Sequence, residues 1–218
     1  MNGQLYGMMQ KRFSSNNNFN RLTQFTPHGV TALEYLYHII ETSTVDWIVN
    51  CDEDCFVADE MEILYLIQFM QANNYAYCGM PEGGVCVHRT FSWTNVNPFF
   101  NVFNAKKIRE LLAVSNKDEI LHTGHNEWKL KEHLILCDID HSKVEHISYE
   151  IFSGFLFWLS QNFKGIYLNC KNHNDGISTC VFGLTGNLLA KHSWYSRDFN
   201  TTHHQRILNL YAEVENIE

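Results

Sequence analysis

Two aspartates, Asp52 and Asp54, stand two positions apart at the end of a short apolar run, within Val49-Asn50-Cys51-Asp52-Glu53-Asp54-Cys55-Phe56-Val57. Carboxylates at that spacing can approach one cation together, or divide between a cation and a ribose hydroxyl. Hard divalent ions such as Mg²⁺ and Mn²⁺ take oxygen ligands, and Mg²⁺ commonly combines one or two carboxylates with substrate phosphates. An ion held there would act as a Lewis acid, neutralising the charge that develops on a departing diphosphate. A solvated acidic loop has the same spacing and no chemistry. What separates the two is whether the flanking elements fix the pair.

Those elements are legible. The segment Val45-Asp46-Trp47-Ile48-Val49-Asn50 reads as a buried strand that delivers the aspartates at its carboxyl end, where open α/β sheets bind ligands. Before it, Val30, Leu33, Leu36, Tyr37 and Ile40 recur at helical spacing, with Thr26 or Thr31 near the start. After it, a second helix is predicted over 59–71, with Met61, Leu64, Tyr65, Ile67 and Phe69 on its buried side. Asp59 is its N-cap, and Glu62 completes a capping box. Residues 75–80 read as the next strand, closed by Pro81 and the Gly83-Gly84 turn. Helix, strand, helix, strand is the pattern of an α/β sheet with crossover helices. Beyond it, 99–103 is a strand or irregular, 105–114 a helix, and 115–133 a polar loop or lid. An aromatic-rich helix over 150–163, a short strand over 165–169 and a surface helix over 202–214 follow. Residues 1–27 are atypical, with a polar tract at Ser14-Ser15-Asn16-Asn17-Asn18 and no apolar strand.

Composition narrows the class. A chain of 218 residues suits one domain with one core. Its 45% hydrophobic and 18% charged residues are the balance of a globular protein. A formal charge of -8 argues against nucleic acid as a partner, since that binding depends on cationic side chains. An acidic protein can still hold a phosphorylated ligand where a metal supplies the positive charge. No run approaches the roughly 20 apolar residues that span a bilayer, which leaves peripheral membrane association as the only membrane contact expected. No basic segment followed by an apolar stretch opens the chain. The seven cysteines form no C-x-x-C pair, so they read as buried thiols in a reducing cytoplasm, and a zinc site of the usual spacing is not expected. Aromatics at 14% leave room for a homodimer interface.

The stretch 28–57 resembles the middle of a GT-A glycosyltransferase, in which a helix leads into a strand ending in Asp-x-Asp. The matching text is Gly29-Val30-Thr31-Ala32-Leu33-Glu34-Tyr35-Leu36, then Asp46-Trp47-Ile48-Val49, then Asp52-Glu53-Asp54. The resemblance implies a GT-A-like mixed sheet flanked by helices. It implies that Asp52 and Asp54 bind Mn²⁺ or Mg²⁺ and a nucleotide-sugar donor, with Asp54 the more direct metal ligand. It implies a completing histidine, matched by His192 in Lys191-His192-Ser193-Trp194-Tyr195. It also implies, for inverting members, a carboxylate base for the acceptor hydroxyl. Glu150 fills that role at the head of an apolar helix, where desolvation would raise its pKa, and Asp175 is the reserve. On the acceptor side, Pro81-Glu82-Gly83-Gly84 and His88-Arg89 resemble the family, with Arg89 placed to hold an acidic or phosphorylated group. Trp93, Asn95, Asn97 and Phe100 offer the flat faces and amides that carbohydrate sites use. The family's first strand and base-binding loop would fall in 1–27, where no apolar strand is found.

The expected activity is transfer of a sugar from the nucleotide-diphosphate donor to a hydroxyl of a glycan or lipid-linked acceptor. The non-enzymatic alternative is a degenerate, transferase-like domain that binds a glycan or a protein partner, and a metal-activated hydrolase of nucleotide sugars is a further one. A phosphatase of the haloacid dehalogenase type wants Thr or Val two places after its second aspartate, where this chain has Phe56. An EF-hand loop is excluded by the absence of alternating oxygen ligands around a central glycine.

Overall fold

Side chains along a strand alternate between two faces, and here both faces of the main sheet are apolar, so both must be covered. The computed structural model describes residues 30–124, 132–145 and 151–217. Within them the chain runs α1 (Val30–Thr42), β1 (Trp47–Cys51), β2 (Cys55–Val57), α2 (Glu60–Ala72), β3 (Tyr77–Gly79), β4 (Phe100–Asn104), α3 (Ala105–Leu112) and α4 (Lys117–Leu121). It continues through β5 (Leu134–Ile135), α5 (Ser153–Asn162), β6 (Gly165–Tyr167), β7 (Cys170–Asn172), β8 (Thr179–Phe182), β9 (Leu188–His192) and α6 (His204–Glu215). Five strands form a mixed sheet in the order β1-β4-β3-β6-β5, and four form a second sheet, β2-β9-β8-β7. In the first, β4 runs antiparallel to both β1 and β3, while β3, β6 and β5 are parallel. The second is antiparallel throughout.

The alternation is read directly from the cores. Tyr77, Phe103 and Tyr167 face one side, where Leu33, Tyr37 and Ile40 of α1, Ile108 and Leu112 of α3, and Phe155, Leu156 and Leu159 of α5 pack on them. Their neighbours Cys78, Val102 and Ile166 face the other side, under Ile63, Leu66 and Met70 of α2 and Val181, Leu189 and Ala190 of the second sheet. The first sheet is therefore the middle layer, with helices on one face and a helix plus a small sheet on the other. A third cluster seats α6 on β2: Ile207, Leu210, Tyr211 and Val214, at helical spacing, pack on Phe56 and Phe199. Helix α5 is buried from Ser153 to Ser160, and Gly154 lets α4 approach it, since a Cβ there would lie 2.3 Å from the Leu121 carbonyl.

Several expectations are corrected. Helix α2 buries Glu62, Ile63, Leu66 and Met70, whereas Met61, Leu64 and Tyr65 are 64%, 50% and 48% exposed. The segment is apolar on nearly every side, so its periodicity carries little information about phase. Asp59 does cap the helix, accepting from the Met61 and Glu62 amides. Glu62 does not complete the capping box. Its carboxylate instead accepts from the hydroxyl of Thr185 and the amide of Asn187, tying α2 to the turn between β8 and β9. The polar region 115–133 contains α4, capped by Asn116 and anchored by buried Ile120. The second sheet, β2-β9-β8-β7, has no counterpart among the strands expected from the sequence. Residues 1–27 and 125–131 of the expected loop, and Glu150, lie outside the described residues. No helix among those described is long and apolar enough to cross a membrane, and all seven cysteines are free thiols.

The two faces of α2 give a direct check by urea unfolding. Leu66→Ala, at a fully buried site, is expected to cost about 2–5 kcal/mol, and Leu64→Ala, on the solvent side, about 0.5 kcal/mol. The opposite ranking would reverse the face assigned to the helix.

Candidate metal centre

The chain passes from one sheet to the other at Asp52-Glu53-Asp54. Asp52 follows the last residue of β1, and its amide donates to the Phe99 carbonyl at 2.8 Å. The Cys55 amide donates back to the Asp52 carbonyl at 3.1 Å, closing a turn that feeds β2. In β2, Cys55 pairs with His192, the last residue of β9. That antiparallel register brings the residues just before Cys55 alongside those just after His192, and the Ser193 amide donates to the Asp54 carbonyl at 2.9 Å. One ligand atom each from Asp52, Asp54 and His192 therefore lie within 4.8 Å of one another.

Exposure differs sharply within the trio. Asp52 is exposed at the surface, whereas Asp54 and His192 are 4% and 3% exposed. A buried carboxylate must be compensated, and here the ring Nε2 of His192 sits 3.2 Å from Asp54 Oδ1 while the Ser193 hydroxyl donates to Oδ2 at 3.1 Å. Burial pushes the Asp54 pKa up. The His192 charge and hydrogen bond, with the Ser193 hydroxyl and a backbone bond, outweigh it and hold the carboxyl below the usual carboxylate range. The His192 ring stacks on Phe99 with centroids 4.1 Å apart and meets the edge of Trp194 at the same separation. Its buried Nδ1 has no hydrogen-bond partner.

Two carboxylates and an imidazole fit a divalent cation. The set carries two negative charges and mixes oxygen with nitrogen donors.

The turn after His192 is strained. Trp194 and Tyr195 both adopt left-handed backbone, with φ of 57° and 58°, a conformation that costs a non-glycine residue roughly 1–2 kcal/mol. It orients the Trp194 indole, whose Nε1 donates to Thr179 Oγ1 at 2.8 Å. The Arg89 guanidinium lies 4.4 Å from the Trp194 ring centre, with Nε 3.3 Å from Glu82 Oε1. Arg89 is thus brought to the site one side chain away from His192. His88 also packs against Trp194, at 4.9 Å. Burial first, then the charges of Arg89, His192 and Arg206, depress the His88 pKa.

The remaining sequence candidates separate. Asp175 lies in the turn between β7 and β8, where Oδ1 accepts from the Ile177 and Ser178 amides at 2.9 and 2.7 Å. Its Oδ2 accepts from the Ser178 hydroxyl at 2.6 Å and faces Arg206 at 3.4 Å. Burial raises its pKa, but the Ser178 hydroxyl, those amides and His173 lower it far more, leaving the carboxyl well below its ordinary range. A carboxylate so occupied is a poor base. Glu150 lies outside the described residues. Asn97 and Phe100 are buried structural residues, Asn97 donating to Glu82 and accepting from the Phe99 amide. Trp93 is buried too, packing on Tyr167 and His141. Nothing in the types or spacing of Phe99, Ser193, Trp194 or Arg206 marks them: the Asp52 amide places Phe99, the β2–β9 register places Ser193 and Trp194, and the seat of α6 places Arg206. No family model matches the chain, and no match to it is found among curated proteins or solved structures.

The pH dependence follows from Asp54. A carboxyl depressed in the folded state contributes stability that is complete above the ordinary value, about pH 4, and is lost as pH falls through the folded-state value. In metal-free protein, Asp54→Asn should therefore shrink the difference in unfolding free energy between pH 7 and pH 3. Urea titrations at the two pH values measure it, and an undiminished difference would mean that Asp54 carries no charge in the fold.

Proposed function

We propose that this chain is a metal-dependent glycosyltransferase of the GT-A type, moving a sugar from a nucleotide-diphosphate donor to a hydroxyl of a glycan or lipid-linked acceptor. The observation that carries the reading is the meeting of Asp52, Asp54 and His192 within 4.8 Å, in a turn leaving the first sheet. A mixed sheet flanked by helices, with the aspartates just beyond the end of β1, supports it further.

The roles follow from the environment of each side chain. Asp54 and His192 are the fixed half of the site, held by Ser193, Phe99 and Trp194. Asp52, exposed on the same turn, is the half that meets the donor from solvent. Mn²⁺ or Mg²⁺ bound by the three would neutralise the charge on the leaving diphosphate. Three protein ligands leave further positions on such an ion for phosphate oxygens. Arg89, held against Trp194 and Glu82, is the cationic arm for a phosphate or an acidic acceptor group. His192 and Ser193 each engage one oxygen of Asp54, which leaves each oxygen a further lone pair for a cation. In an inverting reaction, Glu150 keeps the role of acceptor base that the resemblance implies.

Calorimetry with UDP and GDP, with and without Mn²⁺, tests the reading. Nucleotide binding that requires Mn²⁺ is expected, with Asp54→Ala weakening it at least about 100-fold, beyond the range seen on losing a mere supporting residue. Binding indifferent to the metal, or silence from both nucleotides, would move the chain to the non-catalytic alternative.

A further inference from the structure

We infer that Arg206, on α6, is a positioning residue for the metal centre: it clamps the left-handed turn after His192 and so sets Asp54 and His192 around the cation. The inference rests on the cation reading of that site and adds a residue that touches neither metal nor substrate. Its guanidinium is the convergence point of the turn. Nη1 donates to the Ser193 carbonyl at 2.6 Å and to the Ser178 hydroxyl at 2.6 Å, and Nη2 donates to the Trp194 carbonyl at 3.0 Å. Nε donates to His203 Nδ1 at 3.2 Å, and Asp175 Oδ2 supplies the countercharge at 3.4 Å.

Each contact has a consequence at the ligands. Ser193 is held at its carbonyl by Arg206, at its amide by the Asp54 carbonyl, and at its hydroxyl by Asp54 Oδ2. Without the clamp, the hydroxyl that orients Asp54 is tied down on one side only. Trp194 and Tyr195 stay in a conformation unfavourable to their side chains, which persists only where surrounding contacts over-determine it. Relaxation there would move the indole that packs against the edge of His192. A planar fork with several donors in fixed geometry reaches two successive carbonyls at once, whereas an ammonium is a point donor. The role of Asp175 also becomes clear: it anchors the clamp by closing the β7–β8 turn and pairing with Arg206. Helix α6 is the rigid base, seated on Phe56 through Ile207, Leu210, Tyr211 and Val214 and tied to the second sheet by Glu213, which binds His173 and Lys191.

The test uses the whole chain and Mn²⁺ alone, its affinity read by calorimetry and by electron paramagnetic resonance of free Mn²⁺. Arg206→Met should weaken Mn²⁺ binding by about 10-fold or more, the range typical of residues that orient metal ligands. Ile108→Ala, buried on the opposite face of the first sheet, should lower the melting temperature yet leave Mn²⁺ affinity within about twofold, as distant independent sites do. Arg206→Lys, which keeps the charge and most of the stem, covers the case in which the methionine variant fails to fold, and should still show a several-fold loss. Wild-type affinity in a folded Arg206 variant, or an equal loss in Ile108→Ala, overturns the positioning role. A wild-type protein that binds no Mn²⁺ overturns the cation reading itself, and that failure is recognisable because no isotherm exists to compare.

Discussion

The antiparallel pairing of β2 with β9 is the constraint on which the site depends. Neither strand is long, and β2 has only three residues. Yet the register Cys55↔His192 is what sets an aspartate and a histidine 138 positions apart side by side. A slip of one residue would turn every side chain of β9 to the opposite face, carrying His192 away from Asp54 and Lys191 into its place. Burial on both sides makes such a slip costly. Val57 and Ala190 face the core beneath α2, while Phe56 faces α6.

The second sheet therefore does more than cover the first. It lets a carboxylate be buried beside an imidazole, a combination that costs stability unless each polar group is matched. Asp54 is matched by Ser193 and His192, whereas His192 retains one unsatisfied nitrogen. The site is thus most rigid where ligands must hold their geometry, at Asp54 and His192, and most open at Asp52, where a substrate would arrive. The strained Trp194-Tyr195 turn belongs to the same logic. It brings an indole to the edge of the imidazole and under the Arg89 guanidinium, at a conformational cost borne by the contacts around it.

The cationic groups near the site are all tethered. Arg89 pairs with Glu82 and Arg206 with Asp175, so the net charge beside Asp52 and Asp54 remains negative. That balance favours an added cation over a bare anion as the first species bound. It also suits an acidic chain, in which a local ion adds to the attraction that Arg89 offers a phosphorylated ligand.

From the sequence alone, helices α1 to α3, strands β1, β3 and β6, the helix over 153–162 and the amphipathic C-terminal helix were legible, through apolar spacing or a cap such as Asp59, while the sequence left β4 open between strand and irregular structure. The Asp52-Glu53-Asp54 segment was legible for the same reason, following an apolar strand. The phase of α2 was not, since its residues are apolar on almost every side. Strands β2, β5, β7, β8 and β9 were not, since their pairing with one another or with β6, and not a local apolar run, defines them. What only the tertiary structure decided is the company of each charged group: His192 against Asp54, Arg89 over Trp194, and Asp175 as the anchor of Arg206 and not a free base. Those pairings depend on strand register and on where a helix lands, contacts spanning tens of residues that no local pattern encodes.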